Sequence, residues 1–228
     1  MKTLTFSLIL SVALLLISVS MVTAQMPARG KMSFGILGGV NFQNLNGKDF
    51  SGNKLENDLM TGFHAGINLQ IPVAPEFYFQ PGLIFSVKGA KNTQTSVTNT
   101  VKLSYIELPL NVVYKGGLGN GYVLLGFGPY VGYGIGGKVT YESASVDVKR
   151  DIEFTNVVEL SDPLTTPYYR SLDAGGNIFF GYEMVSGLFF HVNAQLGMTK
   201  INPEYKALPD DESIVKNTGF GLSLGYRL

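Results

Sequence analysis

Two glycine-flanked motifs and a pair of histidines carry the residue types in this chain that could do chemistry. Gly221-Leu222-Ser223-Leu224-Gly225 fits G-x-S-x-G, a pattern that in hydrolases sets a serine on a sharp strand-to-helix turn, its hydroxyl free to attack a carbonyl. Gly132-Tyr133-Gly134-Ile135-Gly136-Gly137 fits G-x-G-x-x-G, which cradles a phosphate where a helix follows and aims its first N–H groups at the anion. His64 and His191 are the only histidines, and there is no cysteine, so a metal site would need carboxylates spaced beside them. Each motif lacks its context. Ser223 lies inside an alternating run, no helical pattern follows Gly137, and no carboxylate is suitably spaced from either histidine. The expectation is therefore no catalytic residue, no metal, no cofactor and no enzymatic activity.

The elements that position these residues follow from period-two alternation. Phe220, Leu222, Leu224, Tyr226 and Leu228 alternate with Gly219, Gly221, Ser223, Gly225 and Arg227. The stretches Gly62–Ile71 and Leu188–Met198 read the same way. One large apolar row set against one small or polar row is a strand signature. About eight strands are predicted: 32–42, 61–71, 77–88, 103–114, 122–137, 171–183, 188–200 and 218–228. Their connections alternate between long and polar (43–60, 89–102, 138–170, 201–217) and short (72–76, 115–121, 184–187). This is the loop parity of a transmembrane antiparallel up-and-down β-barrel with short periplasmic turns and longer external loops.

The identity of the small row separates this barrel from a soluble one. Gly62, Gly66, Gly126, Gly128, Gly132, Gly134, Gly219, Gly221 and Gly225 occupy it, where a water-facing surface would carry many Lys and Glu. Such a row suits the crowded interior of a narrow barrel, with the apolar row facing lipid. Phe77, Phe79, Tyr114, Tyr182, Phe190 and Tyr226 fall at turn-side strand ends in the apolar row, at the level expected of an interfacial aromatic girdle. Lys88, Glu107, Asp173, Glu183 and Arg227, with His64 and His191, read as lumen-facing. An unpaired charge there costs several kcal/mol, so a paired interior network containing Glu107 and Arg227 is expected, serving to plug the bore rather than to select ions. Pro109 and Pro129 remove ladder donors, so bulges or strand ends are expected near them, and Pro109 is a candidate cause of the phase slip between Leu103 and Ile106.

Composition agrees. Only 15% of residues are charged, while 28 are Gly and 27 are Tyr or Phe, a balance that suits strands in a membrane. At the N-terminus Lys2 precedes an apolar run from Leu8 to Val19, and Val22-Thr23-Ala24 presents small residues for a signal peptidase. The expected organisation is a signal peptide over 1–24 and one outer-membrane β-barrel domain over 25–228. Removing Met1–Ala24 leaves 16 basic and 17 acidic residues, a net of −1, which gives no electrostatic case for nucleic-acid binding.

The stretches Gly38-Gly39-Val40-Asn41, Phe79-Gln80-Pro81-Gly82-Leu83, Tyr105-Ile106-Glu107-Leu108-Pro109-Leu110, Gly126-Phe127-Gly128-Pro129-Tyr130 and Leu224-Gly225-Tyr226-Arg227 resemble the Bacteroidetes-type outer-membrane β-barrel family, also called porin-family or PorT-like proteins. That resemblance covers nearly all of 31–228. It implies an approximately eight-stranded barrel in a bacterial outer membrane, a family in which most members have no assigned activity, and one branch that resembles accessory barrels of a secretion system. The expected partners are outer-membrane lipid, the barrel assembly machinery and a protein bound by the external loops. The expected role is a plugged barrel that supports those loops, with a narrow porin-like channel or an accessory barrel of a secretion system as the alternatives.

Overall fold

The computed structural model describes residues 31–94, 97–143, 147–208 and 211–228. The expected signal peptide and its cleavage after Ala24 lie outside the described residues. In chain order the strands are β1 (Ser33–Lys48), β2 (Met60–Ala74), β3 (Phe77–Gln94), β4 (Val97–Gly117), β5 (Gly121–Ser143), β6 (Asp147–Asp151), β7 (Glu153–Phe154), β8 (Val157–Val158), β9 (Tyr168–Tyr169), β10 (Leu172–Met184), β11 (Leu188–Gly197), β12 (Glu204–Tyr205) and β13 (Ile214–Arg227). No described residue is helical.

Eight of these strands form one ring. β10, β11, β13, β1, β2, β3, β4 and β5 pair in that order, every pair antiparallel, and β5 pairs back to β10 to close it. Closure leaves no unpaired sheet edge, the condition for a β-structure to sit in hydrocarbon. Burial follows the alternation: from Phe220 to Leu228, exposed and buried positions alternate without interruption. Where the inner row needs space, it is glycine. A Cβ at Gly225 would meet the Phe189 ring at 2.3 Å, and one at Gly126 would meet the Phe179 ring at 2.2 Å, so these aromatic rings fill the bore only because the facing residues have no side chain.

The barrel is taller than the alternation predicts. The span 89–102, expected to be a polar loop, is the paired upper half of a β3–β4 hairpin running to Gln94↔Val97. Likewise β5 continues to Ser143 and pairs with β6. Beyond the apolar belt the outer face meets water instead of lipid, so the large apolar row ends while the ladder continues, with Ala90, Thr100 and Val139 still buried on the inside. The phase slip in β4 also has another cause: an extra residue, Ile135, bulges out of β5 between the pairs Ser104↔Gly136 and Tyr105↔Gly134. Through Pro109 the register is unbroken, from Pro109↔Tyr130 to Val112↔Phe127.

At the loop end the segment 152–170 and the segment after Gly197 fold over the mouth. β7 pairs with β9 and β8 with β12, both parallel. Ile152 and Ile201 are buried with Leu45, Leu103, Tyr105 and Val139, and Phe154 and Tyr169 pack against them. At the turn end a smaller apolar layer of Val113, Leu124, Phe179 and Phe189 crosses the bore.

Candidate functional site in the barrel lumen

Between and beyond these two apolar layers the lumen is polar, and strand parity places the side chains. Lys88 on β3, Glu107 on β4 and Asp173 on β10 all point inward and meet below the loop-side layer. Lys88 Nζ lies 2.6 Å from Glu107 Oε1 and donates to Asp173 Oδ2 at 3.0 Å, with no exposure of the Lys88 or Asp173 side chains. Asp173 Oδ2 also accepts from the Tyr130 hydroxyl at 3.2 Å and from Asn217 Nδ2 at 3.0 Å. Glu107 Oε2 accepts from Gln195 Nε2 at 3.1 Å. The Tyr130 ring lies 4.2 Å from the ammonium, adding a cation–π contact in a site without solvent. One cation and two carboxylates leave this cluster with a formal charge of −1.

A second cluster sits at the turn-side rim. Arg227 Nε donates to Glu183 Oε2 at 2.9 Å, and Arg227 Nη1 donates to Asn68 Oδ1 at 3.0 Å. Lys115 Nζ holds the other oxygen of Glu183. Two cations and one carboxylate give +1, so the two clusters balance. The single network expected to contain both Glu107 and Arg227 is thus two clusters with different partners. The strand stagger of a closed barrel decides which inner rows meet across the bore, and that stagger is not written in any one strand. Lys115 belongs to the rim cluster although the alternation places it in a turn.

The chamber between the clusters holds the histidines. His64 Nδ1 is 2.6 Å from Asn41 Oδ1, and His64 Nε2 is 2.7 Å from Ser223 Oγ. Asn41 Nδ2 donates to Ser86 Oγ at 3.1 Å, which turns its carbonyl oxygen toward the imidazole. The Nδ1–H tautomer therefore follows, with Nε2 accepting from the Ser223 hydroxyl. Serine, base and orienting amide stand in the hydrogen-bonded order of an activated nucleophile. Among the described residues His191 has no such partner, and it packs against the Phe179 and Phe189 rings, at centroid distances of 4.9 and 6.0 Å. Ser223 comes from the G-x-S-x-G motif; Asn41 and Ser86 carry no motif, though their inner-row parity is readable in the sequence. The glycines of 132–137 lie in β5, and no helix follows them among the described residues. Among the described residues, no three His, Cys, Asp or Glu side chains are arranged to hold a metal ion.

The cavity at this chamber measures about 70 Å³ and is lined by Asn41, His64, Asn68, Asn111, His191, Asn193 and Ser223, among others. That is room for a few water molecules, which suit the unpartnered Asn111 and Asn193 side-chain oxygens.

Outside, the same strands present Ile36, Phe63, Ile67, Leu125, Phe127, Ile178, Phe180, Val192, Leu222 and Leu224, all exposed. An apolar face this continuous on a closed barrel, over a polar and ion-paired interior, defines an integral membrane β-barrel. Phe77 packs near Tyr114 and Tyr182 near Phe190, with centroids 5.4 and 6.3 Å apart, at the turn-side end of that belt.

Residues 23–202 match the outer membrane protein beta-barrel domain family. The chain belongs to that family, and its place is the bacterial outer membrane. Among solved structures it is similar to Ail, the attachment invasion locus protein of Yersinia pestis, at 12% identity and a TM-score of 0.36, covering 86% of this chain and 99% of that one. It is also similar to Neisserial surface protein A, at 14% identity and a TM-score of 0.41, covering 87% and 99%. No curated protein matches it.

Proposed function

We propose that the protein is a plugged, non-conducting and non-catalytic barrel that supports an external platform for a protein partner. The observation that carries this reading is the Lys88–Glu107–Asp173 cluster, which spans the bore between β3, β4 and β10 without exposed side chains. The Tyr105, Ile152 and Ile201 layer above it supports the same conclusion. A conducting path would have to break both ion pairs of Lys88 in a site of low dielectric, where each unpaired charge costs several kcal/mol. A substrate would need more than a chamber of about 70 Å³, against roughly 300–1,000 Å³ for ordinary ligand sites.

The platform consists of the β3–β4 hairpin, the β5–β6 hairpin and the 152–170 cap, which stands on the buried layer and exposes Leu160 and Leu164. Tyr105-Ile106-Glu107-Leu108-Pro109-Leu110 favours the Bacteroidetes-type, PorT-like branch of the family. Export by the N-terminal signal and closure of β13 on β1 by the barrel assembly machinery complete the reading. The test is conductance of the purified full chain in planar bilayers. No steps above those of the bare bilayer are expected; reproducible single-channel steps would replace this reading with the narrow channel.

A further inference from the structure

The outer wall is not uniform around its loop-side rim. On the face formed by β11, β13 and β1, the apolar belt ends at the stacked pair Phe42 and Phe220, whose centroids are 5.1 Å apart. Above it the outward positions become Asn44 and Thr218, then Asn46 and Lys216, then Lys48 and Ile214, as the β1–β13 register sets them side by side. Lys48, Lys54 and Lys216 line one groove there of about 460 Å³, together with Asn46, Leu196 and Ile214. Among the described residues none of the three lysines has an ion-pair partner. Of the nearby acids, Asp49 accepts from the Ser51 and Asn53 backbone amides, and Glu212 stands beside Gly52 at the edge of this groove without an ion pair to any of the three lysines.

Directly below, a second groove runs down the lipid-facing wall. Gly176 and Ala194 form its floor, and Ile178, Leu196, Met198 and Phe220 its sides. The small residues make a dent in an otherwise bulky belt, and Asn46, Leu196 and Thr218 border both grooves, with Asn44 also lining the second. A long apolar trough in the hydrocarbon zone that opens onto three free ammonium groups at the headgroup level has one matching occupant. We propose that this face holds a phosphorylated lipid of the outer leaflet, one acyl chain lying in the Gly176–Ala194 trough and its phosphate held by Lys48, Lys54 and Lys216. Lysine suits a phosphate as a point charge that does not require planar, bidentate geometry. The headgroup level is where such attraction is felt, at a cost in water small enough that the lysines need no protein partner. This inference rests only on the barrel standing in an outer membrane with its long loops outward; a conducting lumen would sink the reading of a plugged barrel and leave the lipid site untouched.

The test titrates the detergent-purified full chain with diphosphorylated lipid A, with the same lipid stripped of phosphate, and with inorganic phosphate, reading bound lipid by native mass spectrometry. The phosphorylated lipid should bind about tenfold or more tighter than the stripped one. Combining Lys48→Gln, Lys54→Gln and Lys216→Gln should abolish that preference, and the loop variant Lys54→Gln alone should cut it about fivefold. Ala194→Trp, which fills the trough, should weaken both lipids and keep the preference between them. Gel mobility before and after boiling confirms that each variant is a closed barrel, and Lys54→Gln, outside every barrel strand, keeps the test alive if the triple variant does not assemble. Equal binding of the two lipids overturns the proposal, as does a preference that survives the triple variant. Displacement of the lipid by inorganic phosphate at comparable concentration would show a bare anion site and overturn the choice of a lipid.

Discussion

The two ion clusters use the same kinds of side chain, yet they hold different positions relative to water. In the inner cluster Lys88 and Asp173 have no exposure and Glu107 has 3%, with Tyr130 and Tyr105 as walls. In the rim cluster Glu183 and Arg227 are nearly as buried, but the side chain of Lys115 keeps 13% exposure and the group borders an open recess with Ser33, Gln70 and Ser186. Desolvation, not Coulomb attraction alone, sets what each charge is worth. The inner cluster is thus a structural lock whose members cannot be removed one at a time, while the rim cluster has a spare cation and water within reach.

The largest difference should appear on removing the central cation. Lys88→Met keeps the volume and leaves Glu107 and Asp173 as two facing carboxylates without a counter-charge. The expected loss is about 3–5 kcal/mol, read as a lower urea midpoint for the boiling-sensitive gel shift. Adding Glu107→Gln and Asp173→Asn to Lys88→Met should restore most of it, because a neutral hydrogen-bonded set has no ionic desolvation penalty. If Lys88→Met alone unfolds at the same urea concentration as the parent, the lock is not a lock.

Next in size is Arg227→Gln. Glu183 retains Lys115, and the Gln amide nitrogen, standing where Arg227 Nε stands, can still reach Glu183 but not Asn68, so about 2 kcal/mol is expected from the lost charged hydrogen bonds. Lys115→Gln should cost less, about 1 kcal/mol, since its ammonium is partly wet and Arg227 remains. Salt sharpens the contrast. At about 1 M the screening length falls to roughly 3 Å, so the cost of Lys115→Gln should shrink while that of Lys88→Met stays. Equal salt sensitivity of the two variants would mean that water reaches both clusters alike.

Much of this is legible in the sequence, and the boundary of what is legible has a physical cause. The eight barrel strands and the inward direction of Lys88, Glu107, Asp173, Glu183, Arg227, His64 and His191 all follow from parity, which is local and has a period of two. What parity omits is everything that depends on two strands at once. It does not say that Lys88 meets Asp173 while Arg227 meets Glu183, because stagger around the ring decides that. It does not extend strands beyond the apolar belt, which is why 89–94 and 97–102 read as loop. Nor does it show the extra residue at Ile135, whose effect surfaces on the partner strand as a phase slip wrongly attributable to Pro109. The lysine groove is invisible in the sequence for the same reason: Lys48 and Lys216 are 168 positions apart and become neighbours only through the β1–β13 pairing.

The chamber between the clusters gives the smallest expected signal. Ser223 donates to His64, and His64 is held by Asn41, so the hydroxyl has a base in place; what it lacks is a visitor. Because the chain has no cysteine, Ser223→Cys introduces a sole thiol at that point. With the inner lock above and the Phe179–Phe189 layer below, a water-soluble thiol reagent should leave this cysteine unmodified in the closed barrel and modify it fully after boiling. Combining Ser223→Cys with Lys88→Met should raise the rate, because two unpaired carboxylates directly beneath the Tyr105, Ile152 and Ile201 layer loosen that layer. Ser223→Cys with Lys115→Gln should not, because the Phe179–Phe189 layer between the rim and the chamber is untouched. A fluorophosphonate offered to the unaltered chain asks the chemical half of the question: labelling that vanishes in Ser223→Ala would show that a reactive serine is reached from outside, and the view of the lumen as a plug would fall with it.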